Sequence, residues 1–228
     1  MDSTALLELF RSDVRDQADP PLWSDVEVFS YMDDAQKMFC RLQGGIADAS
    51  SAITQLTVPA GTVNATLSPR ILKVREAHIA ATGRSVEILN FEDLQTRGSG
   101  GDDYGYRTIG YSLDMSTGSV TAMVVGMDAN KARLIRIPEQ STTISLIVYR
   151  MPLDTIEEAD QPLEIDEQHH PHLLLWMKHR AHMKQDAETY DRGRSDQFRA
   201  EFLAYCDQAK AERERREHKY RSVVYGGL

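Results

Sequence analysis

The apolar positions of the first 45 residues recur at helical spacing. Leu6, Leu7, Leu9, Phe10 and Val14 follow Ser3, a candidate cap, and this amphipathic stripe predicts a first helix that Asp19-Pro20-Pro21 stops. A second helix has stronger signals. Ser24 stands as N-cap with Glu27 three residues on as a capping box, Leu22 or Trp23 is placed to staple onto Val28, and Gly44-Gly45 ends the run. Its predicted apolar stripe is Val28, Tyr31, Met32, Ala35, Met38, Phe39 and Leu42.

From about residue 51 the period changes to two. β-Branched stretches between turn signals (SAITQLTV, TVNATL, RILKVREAHIA, SVEIL, then YRTIGYSL, SVTAMVVG, KARLIRIP and TTISLIVYRMP) predict antiparallel strands, with turns near Thr117-Gly118 and Ala129-Asn130. Between the two sets, four glycines at 98 to 105 predict a mobile loop. DTIEEADQPLEIDE, residues 154 to 167, has seven carboxylates and no basic residue, and predicts an exposed connector. Pro171 then fits the first turn of a helix through LLLWMKHRAHMKQ, and a last helix from Ser195 past Lys219 buries Phe198, Phe202, Tyr205, Cys206 and Ala209. Beyond Ala209, KAERERREHK is polar on every side, so it projects from the body or lies against a neighbour.

The two periods need separate layers, so the expected fold class is α+β: a helical base carrying an inserted antiparallel β-rich lobe. The expected parts are N-terminal helices over 1–50, the β insert over 51–153, the acidic connector over 154–168, C-terminal helices over 169–209 and an extended tail over 210–228. That tail ends in YRSVVYGGL, apolar again beyond a polar arm, which makes it a peg for another subunit.

Charge narrows the function. With 26 Lys+Arg against 35 Asp+Glu, a net charge of -9 argues against a general nucleic-acid binder. The excess is uneven, because residues 169–228 hold 12 basic and 9 acidic side chains. No stretch approaches a membrane span, the N-terminus is not a signal peptide, and the two cysteines, Cys40 and Cys206, read as small buried hydrophobes in a reducing compartment.

Five of the seven histidines fall between 169 and 182. His172, His179 and His182 lie near one side of a helix with Asp186 beyond, so a metal-dependent enzyme built on 172–186 is one reading, although HExxH is absent. The other reading, which the residues favour, is a subunit interface or ordinary surface at His172, His179 and His182. Asp102-Asp103 reads as loop solvation and Tyr104 and Tyr106 as a packing or partner-contact loop. The basic run at 210–221 leaves a nucleic-acid-binding accessory factor open, but its interleaved glutamates more simply form helical salt bridges. With no GxSxG, SxxK or Cys-His pairing, the chain is expected to be no enzyme and to need no cofactor or metal.

The order of the pieces, LWSDVEVFSYMDDAQKMFCR, a strand-rich insert, then PLEIDEQHHPHLLLWMKHRAHMKQD and a charged helix, resembles the head-to-tail adaptor (connector) proteins of tailed bacteriophages, especially short-tailed ones. The matching positions are Trp23, Ser24, Asp25, Ala35, Gln36, His170, Pro171, Leu173, Ala181, Lys184, Gln185, Asp186 and Phe198. The resemblance implies a virion structural protein of the neck, present in host cytoplasm before assembly. It implies a homo-oligomeric, dodecameric ring under the portal protein, with a tail nozzle or tube protein on the other face and genomic DNA passing through the lumen without sequence-specific binding. On this view the portal-docking residues are Tyr220, Arg221, Val223, Val224, Tyr225 and Leu228. An acidic ring suits a DNA path, since it repels the duplex and lets it slide.

Overall fold

A computed structural model describes residues 1–91, 116–186 and 188–217. The chain divides into two compact units, Met1–Gly45 with Pro152–Leu228, and Ile46–Met151. Helices make the first and strands the second, so the fold is α+β.

The helical unit holds α1 (Ser3–Val14), α2 (Asp25–Gln43), α3 (His170–His182) and α4 (Arg192–Glu217). Asp2, not Ser3, caps α1, its carboxylate accepting from the Ala5 N–H at 2.9 Å. Ser3 is buried because its hydroxyl donates to the Glu158 carbonyl and accepts from the Gln161 N–H. α1 also ends earlier than the prolines: Arg15 takes the left-handed cap conformation and returns its N–H toward Arg11 and Ser12. The Ser24/Glu27 capping box and the Gly44 cap of α2 are as expected. Its buried face is rotated by one position, with Phe29, Gln36, Cys40 and Gln43 inside in place of Tyr31, Met38 and Leu42. Gln36 and Gln43 supply the reason. Both are buried with partners, Gln36 accepting from the Glu164 N–H and Gln43 bonded to Gly45 and Arg213, and a hydrophobicity pattern passes over such residues.

The acidic stretch after Pro152 is not a free connector. Ile156 and Ile165 are buried, Asp2 and Pro162 form a β-bridge, and the Glu164 carboxylate accepts from the N–H groups of Leu153 and Asp154. Two apolar anchors and satisfied backbone hold the segment down, while its other acids face water.

The strand unit is one eight-stranded sheet. Its strands are β1 (Ile46–Asp48), β2 (Gln55–Val58), β3 (Asn64–Thr66), β4 (Ile71–Ile79), β5 (Ser85–Asn90), β6 (Ala122–Asp128), β7 (Lys131–Ile135) and β8 (Thr142–Arg150). The order is β1-β8-β4-β5-β6-β7-β3, and β2 also pairs with β8. All pairs are antiparallel except β5 with β6, which run parallel in the register Glu87–Ala122 to Asn90–Val125. Here the all-antiparallel expectation is corrected. The long connection between these strands permits a crossover, which a tight hairpin does not. β1 was not foreseen, being three residues long, and SAITQLTV opens as a 3-10 turn before β2. One face of the sheet closes on Val58, Val74, Val86, Met123, Leu134, Ile144 and Leu146, while Leu89, Ala122, Val124 and Ile135 cluster apart from them. Period-two alternation along β6 sends Met123 one way and its neighbours the other. Asp48 is buried and ion-paired with Arg150. Burial pushes its carboxyl up, but bonds from Ser51, Ser50 and Arg150 outweigh this and hold it well below the usual carboxylate range.

The expected strand YRTIGYSL, the glycine loop, Asp102-Asp103 with Tyr104 and Tyr106, and the terminal peg lie outside the described residues.

Candidate assembly interface

The histidine cluster sits on α3, whose residues Leu173, Leu174, Trp176, Met177 and Ala181 are buried. With Pro171 in its first turn, α3 starts without a side-chain cap. Every histidine of this stretch finds a partner inside the helical unit. His169 Nδ1 lies 2.7 Å from the Tyr205 hydroxyl and its ring packs on Phe39 at 4.7 Å. The Gln168 amide is 3.2 Å from its other nitrogen, so His169 donates through Nδ1 to Tyr205. His170 is buried and donates from Nε2 to the Ile165 carbonyl at 2.9 Å. His172 stacks face to face on Tyr205, with centroids 3.5 Å apart and planes 16° from parallel. His179 Nδ1 is 2.8 Å from Ser195 Oγ and 3.1 Å from its carbonyl. His182 donates from Nδ1 to the Thr189 carbonyl at 3.3 Å and stacks on Phe198.

These contacts make the histidines a seam between α3 and α4. The Ser195–His179 pair is a lock and not a nucleophile with its base: Ser195 is fully buried, and its hydroxyl donates to the His179 carbonyl at 3.0 Å. The metal reading finds no support in the geometry either, since among the described residues no three His, Cys, Asp or Glu side chains converge as a metal cage requires. Burial holds His169, His172 and His179 below the ordinary histidine pKa, so all three are neutral at pH 7. Neutral rings stack and donate beside Arg180 and Arg199 without repulsion.

Sequence reasoning placed His172, His179 and His182 on one side of a helix but missed their partners Ser195, Thr189 and Tyr205 as a set. The signal was present. Ser195, Phe198, Phe202, Tyr205 and Ala209 continue one stripe at three- and four-residue steps, and Ser195 escapes notice only because it is polar. Phe198 and Tyr205, expected in the core, are half-buried because each serves as a platform for a histidine ring.

Two further contacts tie the remaining helices in. Trp176 Nε1 donates to Asp34 at 2.8 Å, and Trp23 Nε1 donates to the Ala181 carbonyl at 3.2 Å. Lys184 reaches the Glu27 carboxylate at 2.9 Å; that hydrogen bond holds the Glu27 carboxyl below its usual range despite its partial burial. The polar end of α4 does not project freely, since Arg213 donates to Gln43 Oε1 and to the Gly45 carbonyl, both at 2.9 Å. A single arginine reaching back supplies what the absent apolar face does not.

Among the described residues no helix is long and apolar enough to cross a membrane. The model of the family described as SU10 adaptor protein matches residues 4–225, spanning both units. No curated protein matches the chain.

Proposed function

The chain belongs to the SU10 adaptor protein family and is a phage structural adaptor; we propose that it works as a head-to-tail adaptor in the neck of the virion. In this reading copies of the chain form a dodecameric ring beneath the portal protein, surround the DNA path, and hand the capsid on to a tail nozzle or tube. The parts follow the sequence reading: a helical base over 1–50 and 169–209, an inserted lobe over 51–153, and a docking tail over 210–228. The subunit enters the particle from the host cytoplasm. An acidic subunit suits a lumen that DNA must slide through without adhering.

The observation that carries the reading is the family match over both ends of the chain, combined with the anchoring of α4. This helix has 26 residues and is thus a rod of about 39 Å. Arg213 fixes its last turns to the end of α2, so the segment bearing Tyr220, Arg221, Val223, Val224, Tyr225 and Leu228 starts from a held root. Those side chains dock on the portal. His172, His179 and His182 contribute to the subunit boundary by their outer edges and by keeping α3 and α4 in register.

Deleting 220–228 tests this directly. Portal binding is expected to disappear while the melting temperature of the folded body stays nearly unchanged, because YRSVVYGGL follows a polar arm with no apolar face to bury. Portal binding at unaltered affinity would show that the tail is not the docking element.

A further inference from the structure

Resting on the ring reading, we propose that successive subunits are joined by an electrostatic head-to-tail contact, in which the acidic segment 154–167 of one copy seats in a basic notch around Arg15 of the next. The notch is a concavity of about 350 Å³ in the helical unit, lined by Asp13, Arg15, Lys178, His182, Arg194 and Phe198. Three cations meet one carboxylate there. Lys178 is ion-paired with Asp13, and Arg194 reaches Asp191 at 3.4 Å in a pair exposed on both sides. Such a pair contributes little and exchanges its partner readily. Arg15 is exposed, held in place by the left-handed cap of α1, and has no acidic partner among the described residues. Arg194 lies in the first turn of α4, where the helix dipole adds to the positive potential.

The complement is on the same unit. Asp154, Glu157, Glu158, Asp160, Asp166 and Glu167 are exposed along a segment whose backbone is pinned by Ile156, Ile165 and Ser3. It is a rigid row of acids with no basic residue in it. Thr4 bonds Asp160 at one end of α1, and Asp13 and Arg15 stand at the other, so row and notch are separated by roughly 15 Å of helix at 1.5 Å per residue. One copy therefore cannot satisfy its own notch. Two unlike patches at opposite ends of α1 make a heterologous contact, the type that generates a ring when its rotation closes. Subunits of net charge -9 repel one another, and a local pairing of opposite sign both offsets that and sets the register.

The test is a reciprocal charge swap, imaged on purified portal. Arg15→Glu with Arg194→Glu, and separately Glu157→Lys with Glu158→Lys, change only exposed side chains, so both variants keep the wild-type melting temperature. Each alone is expected to weaken ring formation at least tenfold at moderate salt. The chain carrying all four changes recovers it, and wild-type rings disperse as salt is raised. Rings of undiminished occupancy in both variants would overturn the contact while leaving the ring reading intact. Retained rings with lost portal or DNA binding in the notch variant would reassign the notch to that partner and likewise overturn it. Wild-type protein that forms no ring even on portal would remove the ring reading, and the contact with it.

Discussion

Asp16 shows how much of the helical unit hangs on single polar residues. Its side chain is fully buried, and its two oxygens accept from the N–H groups of Leu22 and Trp23 at 2.8 and 3.3 Å. Arg11 pairs with it at 3.0 Å and reaches onward to the Trp23 carbonyl and to Asp25. The carboxylate thus folds the proline-rich turn back and delivers Trp23 against Phe10, with ring centroids 5.8 Å apart, and onto Ala181. Asp16→Ala leaves two backbone donors and a guanidinium short of a partner, and is expected to cost about 1–3 kcal/mol, read as a lower denaturant midpoint. Asp16→Asn retains one acceptor and loses less. Equal stability of all three chains would mean that water replaces the carboxylate at no cost. Nothing in the linear pattern marks Asp16, because a buried acid between a helix and two prolines looks like any other turn residue.

At the scale of elements, the seam of α3 and α4 makes stability depend on pH. His169, His172 and His179 have folded pKa values below the ordinary histidine value of about 6.5, chiefly because burial penalises the charged ring. The unfolded chain therefore takes up protons first as the pH falls. Stability is full above about pH 6.5 and declines as the pH drops from there toward the folded values, with the sign that linkage requires. Asp166 and Glu212 beside His169, and Asp196 beside His179, reduce the effect without reversing it. Denaturant midpoints at pH 7.5 and 5.5, above the carboxylate range, should differ, and His179→Asn, which keeps a donor toward Ser195, should narrow the gap. A midpoint independent of pH in that window would refute the seam as drawn. What was legible in the linear pattern is what periodicity and caps encode: α2 with its Ser24/Glu27 box and Gly44 stop, α3 after Pro171, and β4 to β8 as period-two runs. The rest turned on long-range partners. The parallel pairing of β5 with β6, the rotation of the buried face of α2 toward Gln36 and Gln43, and the pinning of the acidic stretch by Ile156 and Ile165 depend on residues far away in sequence. The histidines were found but not their contacts within the helical unit, since a run of histidines looks alike whether it binds metal or packs a helix pair.

On the scale of the whole molecule, the charge asymmetry, the polar end of α4 and the family match converge on an adaptor. On the proposed reading, assembly through the notch and passage of DNA through the ring would draw on one distribution of surface charge. Cys40 and Cys206 are buried, and burial raises the Cys206 thiol to about 12, which keeps it inert. The proposed ring in the neck, between portal and tail, is tested most directly by imaging that neck in intact particles. A twelve-fold ring directly below the portal, with the helical unit of this chain fitting each repeat, is the predicted result. Density for this chain found elsewhere in the particle, or a neck lacking it altogether, would contradict the account.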